Sequence, residues 1–376
     1  MIYFDNAAST FPKPHEVSKS VYNWLENNGA NPGRSGHDMS FDASTAIYET
    51  RCELSELFNV SQPEKIIFVP NATYGLNFII QGVLHHGDHV VITDLEHNSV
   101  IRTVNLIAKK GIKFDVAVVD LYDDEITLKN IADVCKKNTK LVVCTQCSNV
   151  CGKMPPIKKI KNMLGDSVKM LIDGSQGAGI IPTDLSDLGV DYYCAPSHKG
   201  LLGPQGSGFV AVLSEIPDPI IVGGTGSESF DALQPNYLPD ILESGTLPTP
   251  VIVGLNSGVK YIKKRGVAEI FKHKSNLTKY FYSKISGLGF VKRYIDYDDS
   301  FVGVCCFNIN GLHSEEVASI LNQNKICVRG GYHCAPYFHK KMGTEDVGMV
   351  RVSFGCYNSF SEIDNFVKVL NKLKKV

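Results

Sequence analysis

Lys199 sits in "SHKGLLGPQGSG", between a histidine and a run of glycines. A lysine there is either a solvated loop residue or, where burial lowers its pKa, an amine able to form a Schiff base. Asp173 lies 26 positions earlier, at the end of the apolar run in "LIDGSQGAG". In an open α/β sheet, ligands bind beyond the carboxyl ends of the strands. A carboxylate there can hold a protonated ring nitrogen, hold a metal, or only close a turn. In "VPNATYGLN" a strand pattern gives way to a helix pattern. The N–H groups of Ala72 and Thr73 and the Thr73 hydroxyl could hold a phosphate there, although Asn71 or Thr73 could equally be a plain N-cap. Each segment alone is ambiguous. Together, an amine for an aldehyde, an acid for a ring nitrogen and a phosphate cup are what pyridoxal phosphate requires. A carboxylate beside the ring nitrogen favours its protonated form.

Cys334 is the one cysteine of "RGGYHCAPYFH", among glycines, aromatics and two histidines. It reads either as a buried thiol or as a loop nucleophile, which must be a thiolate to react. Cys144, Cys147 and Cys151 in "CTQCSNVC" suggest zinc or redox chemistry, but no second pair follows at ribbon spacing. No metal site is expected. Cys305 and Cys306 are adjacent on a strand pattern and so face opposite sides.

Elements must bring these residues together. From about Glu64 to Val212, short apolar runs ("EKIIFV", "DHVVITD", "KFDVAVVDL", "KLVVCTQ", "KMLID", "VDYYCA") alternate with helical patterns. That is the pattern of a mostly parallel sheet with helices on its faces. "GSGFVAVL" follows "VDYYCA" too soon for a helical crossover and is expected to pair antiparallel. Beyond the Gly- and Pro-rich residues 217–250, one helical pattern covers roughly 250–286. Shorter strands ("GVCCFNI", "MVRVSFG") and a final helix follow, the helix opened by a Ser359/Glu362 capping box. The expected organisation is an N-terminal segment 1–20 packing with the small domain, a large domain 21–250, and a small α+β domain 251–376.

The 376 residues carry a net charge of −1 and are 43% hydrophobic, enough for a large core. Near-neutral charge gives no reason to expect nucleic acid or a membrane surface as partner. "MIYFDNAAST" lacks the features of a signal peptide, and 11 cysteines is an odd count. Reduced thiols in a cytoplasm are the expectation.

In its motifs the chain resembles the class V aminotransferase family of fold type I, most closely the cysteine desulfurases and selenocysteine lyases. The resemblance rests on "YFDNAAST", "NPGRSGH", "LEHNS", "QCSNVCG", "IDGSQ", "SHKGLLGPQGSG", "ESGTLPTP", "RGGYHCAP" and "VRVSFGCYN" in family order. It implies a large domain with a mostly parallel seven-stranded sheet, a small α+β domain, and pyridoxal 5'-phosphate as cofactor. Lys199 would hold the cofactor aldehyde and carry protons. Asp173 would pair with the ring nitrogen, Gln176 with the phenolic oxygen, and His97 would stack on the ring and help in acid–base steps. Ala72, Thr73, Ser197 and His198 would bind the phosphate, with Thr246 reaching in from the other subunit of a homodimer. Arg351 would clamp the substrate carboxylate as a bidentate donor, aided by Asn149, with Arg34 and His37 on a nearby loop. Where the family places a serine three residues before the lysine, this chain has Pro196, with Ser197 one place later.

The resemblance also implies a role for Cys334. It would take sulfur from L-cysteine as a persulfide, leave alanine, and pass the sulfur to an acceptor protein for iron–sulfur clusters or other thio-cofactors. Only 17 positions separate Cys334 from Arg351, a compact spacing that resembles the group II branch. Three alternatives stand beside this reading: a selenocysteine lyase, a class V aminotransferase or lyase in which Cys334 is idle, and, remotely, a zinc or redox thiol protein.

Overall fold

Strands that are apolar throughout demand cover on both faces. Ile66–Val69 and Gly208–Val212 are of this kind, and every residue in them is buried. In the computed structural model, which describes residues 1–33 and 35–374, they belong to a seven-stranded sheet. Its order is Ile66–Val69, Gly208–Val212, Tyr192–Pro196, Lys169–Asp173, Thr139–Thr145, His89–Thr93, Lys113–Ala117. Gly208–Val212 runs antiparallel to both neighbours, as its short connection requires, and the other pairings are parallel.

The two-residue period of the strands divides the core. Ile66, Phe68, Ile172 and Phe209 face one layer, which includes the helices Asp38–Phe58, Ile157–Leu164 and Thr249–Arg265. Ile67, Val69, Leu171 and Val210 face the other, which includes Ala72–Val83 and Asn98–Ala108. The carboxyl ends of Thr139–Thr145, Lys169–Asp173 and Tyr192–Pro196 therefore open together at one edge.

A second core is built on a three-stranded antiparallel sheet, ordered Val350–Ser353, Val304–Ile309, Val291–Arg293. Its centre is aromatic: Phe281, Phe307, Phe354 and Phe366, joined by Phe4 from the N-terminus. Ile2–Tyr3 pairs parallel with Ile326–Cys327, so the first residues lie with this C-terminal core. The next helix, His15–Asn27, packs on Thr249–Arg265.

The single helix expected over 250–286 is two, Thr249–Arg265 and Val267–Ile285, divided at Gly266, whose φ of +85° breaks the helical path. The first half puts Ile252, Leu255, Val259 and Ile262 into the large sheet's core. The chain changes cores along Val267–Ile285, where Ile270 still belongs to the first and Leu277 to the second. No helix among the described residues is long and apolar enough to cross a membrane.

Candidate active site

Asp173 closes the strand Lys169–Asp173, in register with Thr145 on one side and Cys194 on the other. It is buried, and its Oδ1 accepts the Ser175 N–H at 2.9 Å. The residue after it must be glycine: a Cβ at Gly174 would lie 2.1 Å from the Tyr193 ring. Lys199 follows the next strand over, and its carbonyl accepts the Thr10 hydroxyl at 2.8 Å. Burial lowers the Lys199 ammonium to about 8; Asp173 opposes the shift, and Arg351 and Arg329 add to it. What surface Lys199 retains lines a cavity of about 250 Å³, which it shares with Asp173.

One wall of this cavity is formed by two helix starts. The helix Ala72–Val83 is capped by Asn71, whose side chain accepts the Tyr74 N–H at 3.2 Å. The N–H groups of Ala72 and Thr73 belong to its first turn, where no intrahelical acceptor exists. Thr73 Oγ1 lies 2.9 Å from Ser99 Oγ, which belongs to the first turn of Asn98–Ala108. His97 caps that helix: its Nδ1 accepts the Ser99 N–H at 3.1 Å and lies 2.8 Å from Ser99 Oγ. A backbone N–H can only donate, so Nδ1 carries the lone pair and Nε2 the proton. Burial, then Lys199, lowers His97 to about 4, with Asp173 opposing, so the ring is neutral near pH 7. Burial also lowers His198 to about 4, helped by Lys199 and Lys13.

Another wall is cationic. Arg351 is fully buried; its Nη1 donates to Asn149 O at 3.1 Å and its Nη2 to Asp5 Oδ1 at 2.7 Å. Arg329 is cross-bridged to Arg351 through both backbone hydrogen bonds. Asn149 Nδ2 donates to His333 O at 2.7 Å, and Gln176 Nε2 donates to Ala7 O at 2.9 Å. All of these except Asp5 line the cavity.

Cys334 lies next to that wall and is half-buried. His333 and Cys334 both adopt left-handed backbone, with φ of 49° and 57°. Non-glycine residues hold that conformation at a cost and only when neighbours enforce it. Here Asn149 holds the His333 carbonyl, and the Asn98 N–H donates to the Cys334 carbonyl at 2.7 Å.

Not every expected residue is brought to the cavity. Ser197 is fully buried and turned back on its own loop, bonded to the carbonyls of Pro204 and Ser207 and to the Ser207 hydroxyl. Its hydroxyl shapes the loop that carries Lys199, whereas the Ser99 hydroxyl lies beside Thr73 on the cavity lining. Thr246 lines a separate pocket with Tyr74 and Phe78. His37 caps the helix Asp38–Phe58 at the surface, and Arg34 lies outside the described residues. Cys144, Cys147 and Cys151 are buried, and burial raises all three thiols, Cys147 to about 12. No cluster of three or more His, Cys, Asp or Glu side chains among the described residues could hold a metal. Cys305 and Cys306 are buried in the second core.

Sequence reasoning missed Ser99, Arg329, His333 and Asp5. All four lie inside the motifs, but only Ser99, a hydroxyl two places after a histidine cap, carries a local signal.

The donor set suits pyridoxal 5'-phosphate: an acid, an amine of lowered pKa, and two helix starts beside a neutral histidine. Four buried polar atoms without a partner belong to residues lining this cavity: Asn149 Oδ1, His198 Nδ1, His333 Nδ1 and Arg351 Nε. Unpartnered buried polar atoms are rare in proteins, and their gathering here marks a place built for a polar ligand.

The Aminotransferase class-V family matches residues 2–366. A probable cysteine desulfurase of Pyrococcus abyssi is 32% identical, with 100% of this chain and 94% of that protein covered. A cysteine desulfurase of Haloferax volcanii is 27% identical over 100% of this chain and 90% of its own. The apo structure of a cysteine desulfurase from Thermococcus onnurineus superposes with a TM-score of 0.91 at 30% identity, covering 100% of this chain and 94% of that one. The large sheet and the second core are thus those of a pyridoxal phosphate fold, and the chain belongs to the class-V aminotransferase family, whose members use pyridoxal 5'-phosphate.

Proposed function

We propose that the chain is a pyridoxal phosphate-dependent cysteine desulfurase, converting L-cysteine to L-alanine and taking the sulfur onto Cys334 as a persulfide. The observation that carries this reading is the clamp on the cysteine loop. The His333 carbonyl accepts from Asn149, which lines the cavity that holds Lys199, and the Cys334 carbonyl accepts from the N–H of Asn98, which lies between two residues lining that cavity, His97 and Ser99. A loop held in strained backbone against a catalytic cavity fits a thiol that must meet the substrate.

Asp173 would hold the cofactor's ring nitrogen and Gln176 its phenolic oxygen. Ala72, Thr73 and His198 would hold its phosphate, and His97 would cover its ring. The cofactor, when bound, supplies an electron sink for the substrate's α carbon. Arg351 and Asn149 orient the substrate carboxylate. Lys199 Nζ, with a pKa near 8, can both take and return a proton close to neutral pH. The Cys334 thiolate attacks the substrate sulfur. An S–S bond forms, the C–S bond breaks, and its electron pair stays with carbon, which takes a proton. The persulfide then needs a thiol acceptor, in this reading a partner protein. Thr246 would complete the phosphate site from a second copy of the chain. Eleven free cysteines accord with a reducing, cytoplasmic setting.

Mass spectrometry after incubation with L-cysteine or L-selenocysteine tests the assignment. One added sulfur on Cys334, with stoichiometric alanine, supports it. Alanine formed from selenocysteine alone would make the chain a lyase for that substrate, and an unmodified Cys334 during turnover would sink the persulfide route.

A further inference from the structure

Ser99 stands between two groups with different tasks. Its Oγ is 2.9 Å from Thr73 Oγ1 and 2.8 Å from His97 Nδ1, and all three residues line the cavity. The hydrogens can be counted. Each hydroxyl has one to give, and Nδ1 has only a lone pair, already shared with the Ser99 N–H. With no anion at the cup, Thr73 donates to Ser99 and Ser99 donates to Nδ1. An anion at the helix start takes the Thr73 proton as a hydrogen bond. Thr73 Oγ1 then becomes an acceptor, Ser99 turns its hydrogen toward it, and Nδ1 keeps only the backbone donor. An imidazole nitrogen that loses a donor becomes more basic.

We propose that the Ser99 hydroxyl is a positioning group that couples anion occupancy at Thr73 to the basicity of His97. The coupling rests on reading the Ala72–Thr73 turn as the phosphate cup. It does not require that the substrate be cysteine. Other charges also face His97: Lys199, Arg329 and Arg351 disfavour its protonation and Asp173 favours it. They act with or without Ser99, so removing only the hydroxyl isolates the relay.

The test uses cofactor-free protein with labelled histidine and follows the His97 ring nitrogens by NMR as inorganic phosphate is added. Phosphorus line broadening reports binding independently. In the wild type, phosphate should move Nδ1 toward a freer lone pair and raise the His97 pKa. Ser99→Ala keeps the anion's charge but lacks the relay. Its rise should be smaller by about half a unit to one unit, the worth of a neutral hydrogen bond. Ser99→Thr keeps a hydroxyl and should restore the full response, which a merely structural role for the side chain would not require. An equal rise in wild type and Ser99→Ala overturns the relay, and failure of phosphate to bind overturns the cup beneath it. The desulfurase reading is decided separately, by whether alanine is made from L-cysteine.

Discussion

Arg351 Nη2 donates a 2.7 Å hydrogen bond to Asp5 Oδ1, across 346 positions of sequence. The cation expected to meet the substrate carboxylate is thus tied to a residue two places past the first strand, Ile2–Tyr3. Burial pushes Arg351 down from its ordinary range and Asp5 pulls it back. Truncating one partner of such a pair leaves a buried charge without compensation. Asp5→Asn keeps an acceptor but removes the charge. It should lower stability by about 1–3 kcal/mol in urea unfolding, Asp5 being partly exposed. It should also raise KM for L-cysteine about tenfold with a smaller change in kcat, because Arg351 loses its fixed pose. Steady-state kinetics showing an unchanged KM would mean that Asp5 serves folding alone.

Cys334→Ala removes the sulfur acceptor and touches none of the residues proposed to hold the cofactor. Alanine formation from L-cysteine should fall roughly a thousand-fold or more, while the visible absorption of bound cofactor stays at wild-type intensity. Cys334→Ser should behave alike, since a hydroxyl is a far weaker nucleophile toward sulfur. Full turnover in either variant would return Cys334 to the role of an idle loop thiol.

How much of this was legible in the chain depended on the range of the contact. Apolar runs such as Ile66–Val69 announce a covered sheet, and the short link after Pro196 announces an antiparallel strand. Asp173 and Lys199 could be paired from position because strand ends gather at one edge. Ser197 misled because nearness to Lys199 in sequence says nothing about where a hydroxyl points; it points to Pro204 and Ser207. Asp5 was hidden for the opposite reason, its partner lying near the other end of the chain. The helix Thr249–Arg265 has the same apolar period whichever core it faces. Only its packing shows that it belongs with the large sheet.

Glu96 precedes the capping histidine and is fully buried. Its Oε1 accepts the Thr93 hydroxyl at 2.6 Å and the Thr145 N–H at 2.8 Å. Burial nonetheless raises its pKa to about 8, with Asp173 and Asp94 adding to the rise. Between the unfolded value of 4.5 and about 8, the folded chain holds a proton that the unfolded chain has released. Glu96 therefore makes stability fall as pH rises through that window. Glu96→Gln keeps the Oε1 acceptor without the charge. Urea midpoints measured near the two ends of the window should fall less with pH in the variant than in the wild type. Parallel pH profiles would show that Glu96 is ionised in the fold.

Lys199 has the opposite sign of linkage. Its folded pKa is lowered from 10.5 to about 8, chiefly by burial. Between those values the unfolded chain binds the extra proton, so stability rises with pH across the window. The same shift governs cofactor loading, because only the neutral amine attacks an aldehyde. Loading of cofactor-free protein, followed by absorbance, should accelerate about tenfold per unit as pH rises toward 8 and then level off. An ordinary lysine would go on accelerating to beyond 10. Lys199→Met should abolish covalent loading and remove the alkaline gain in stability together. Because Arg351 and Arg329 also depress Lys199, Arg329→Gln should move the plateau upward. A plateau that stays in place would leave burial and Arg351 as the causes.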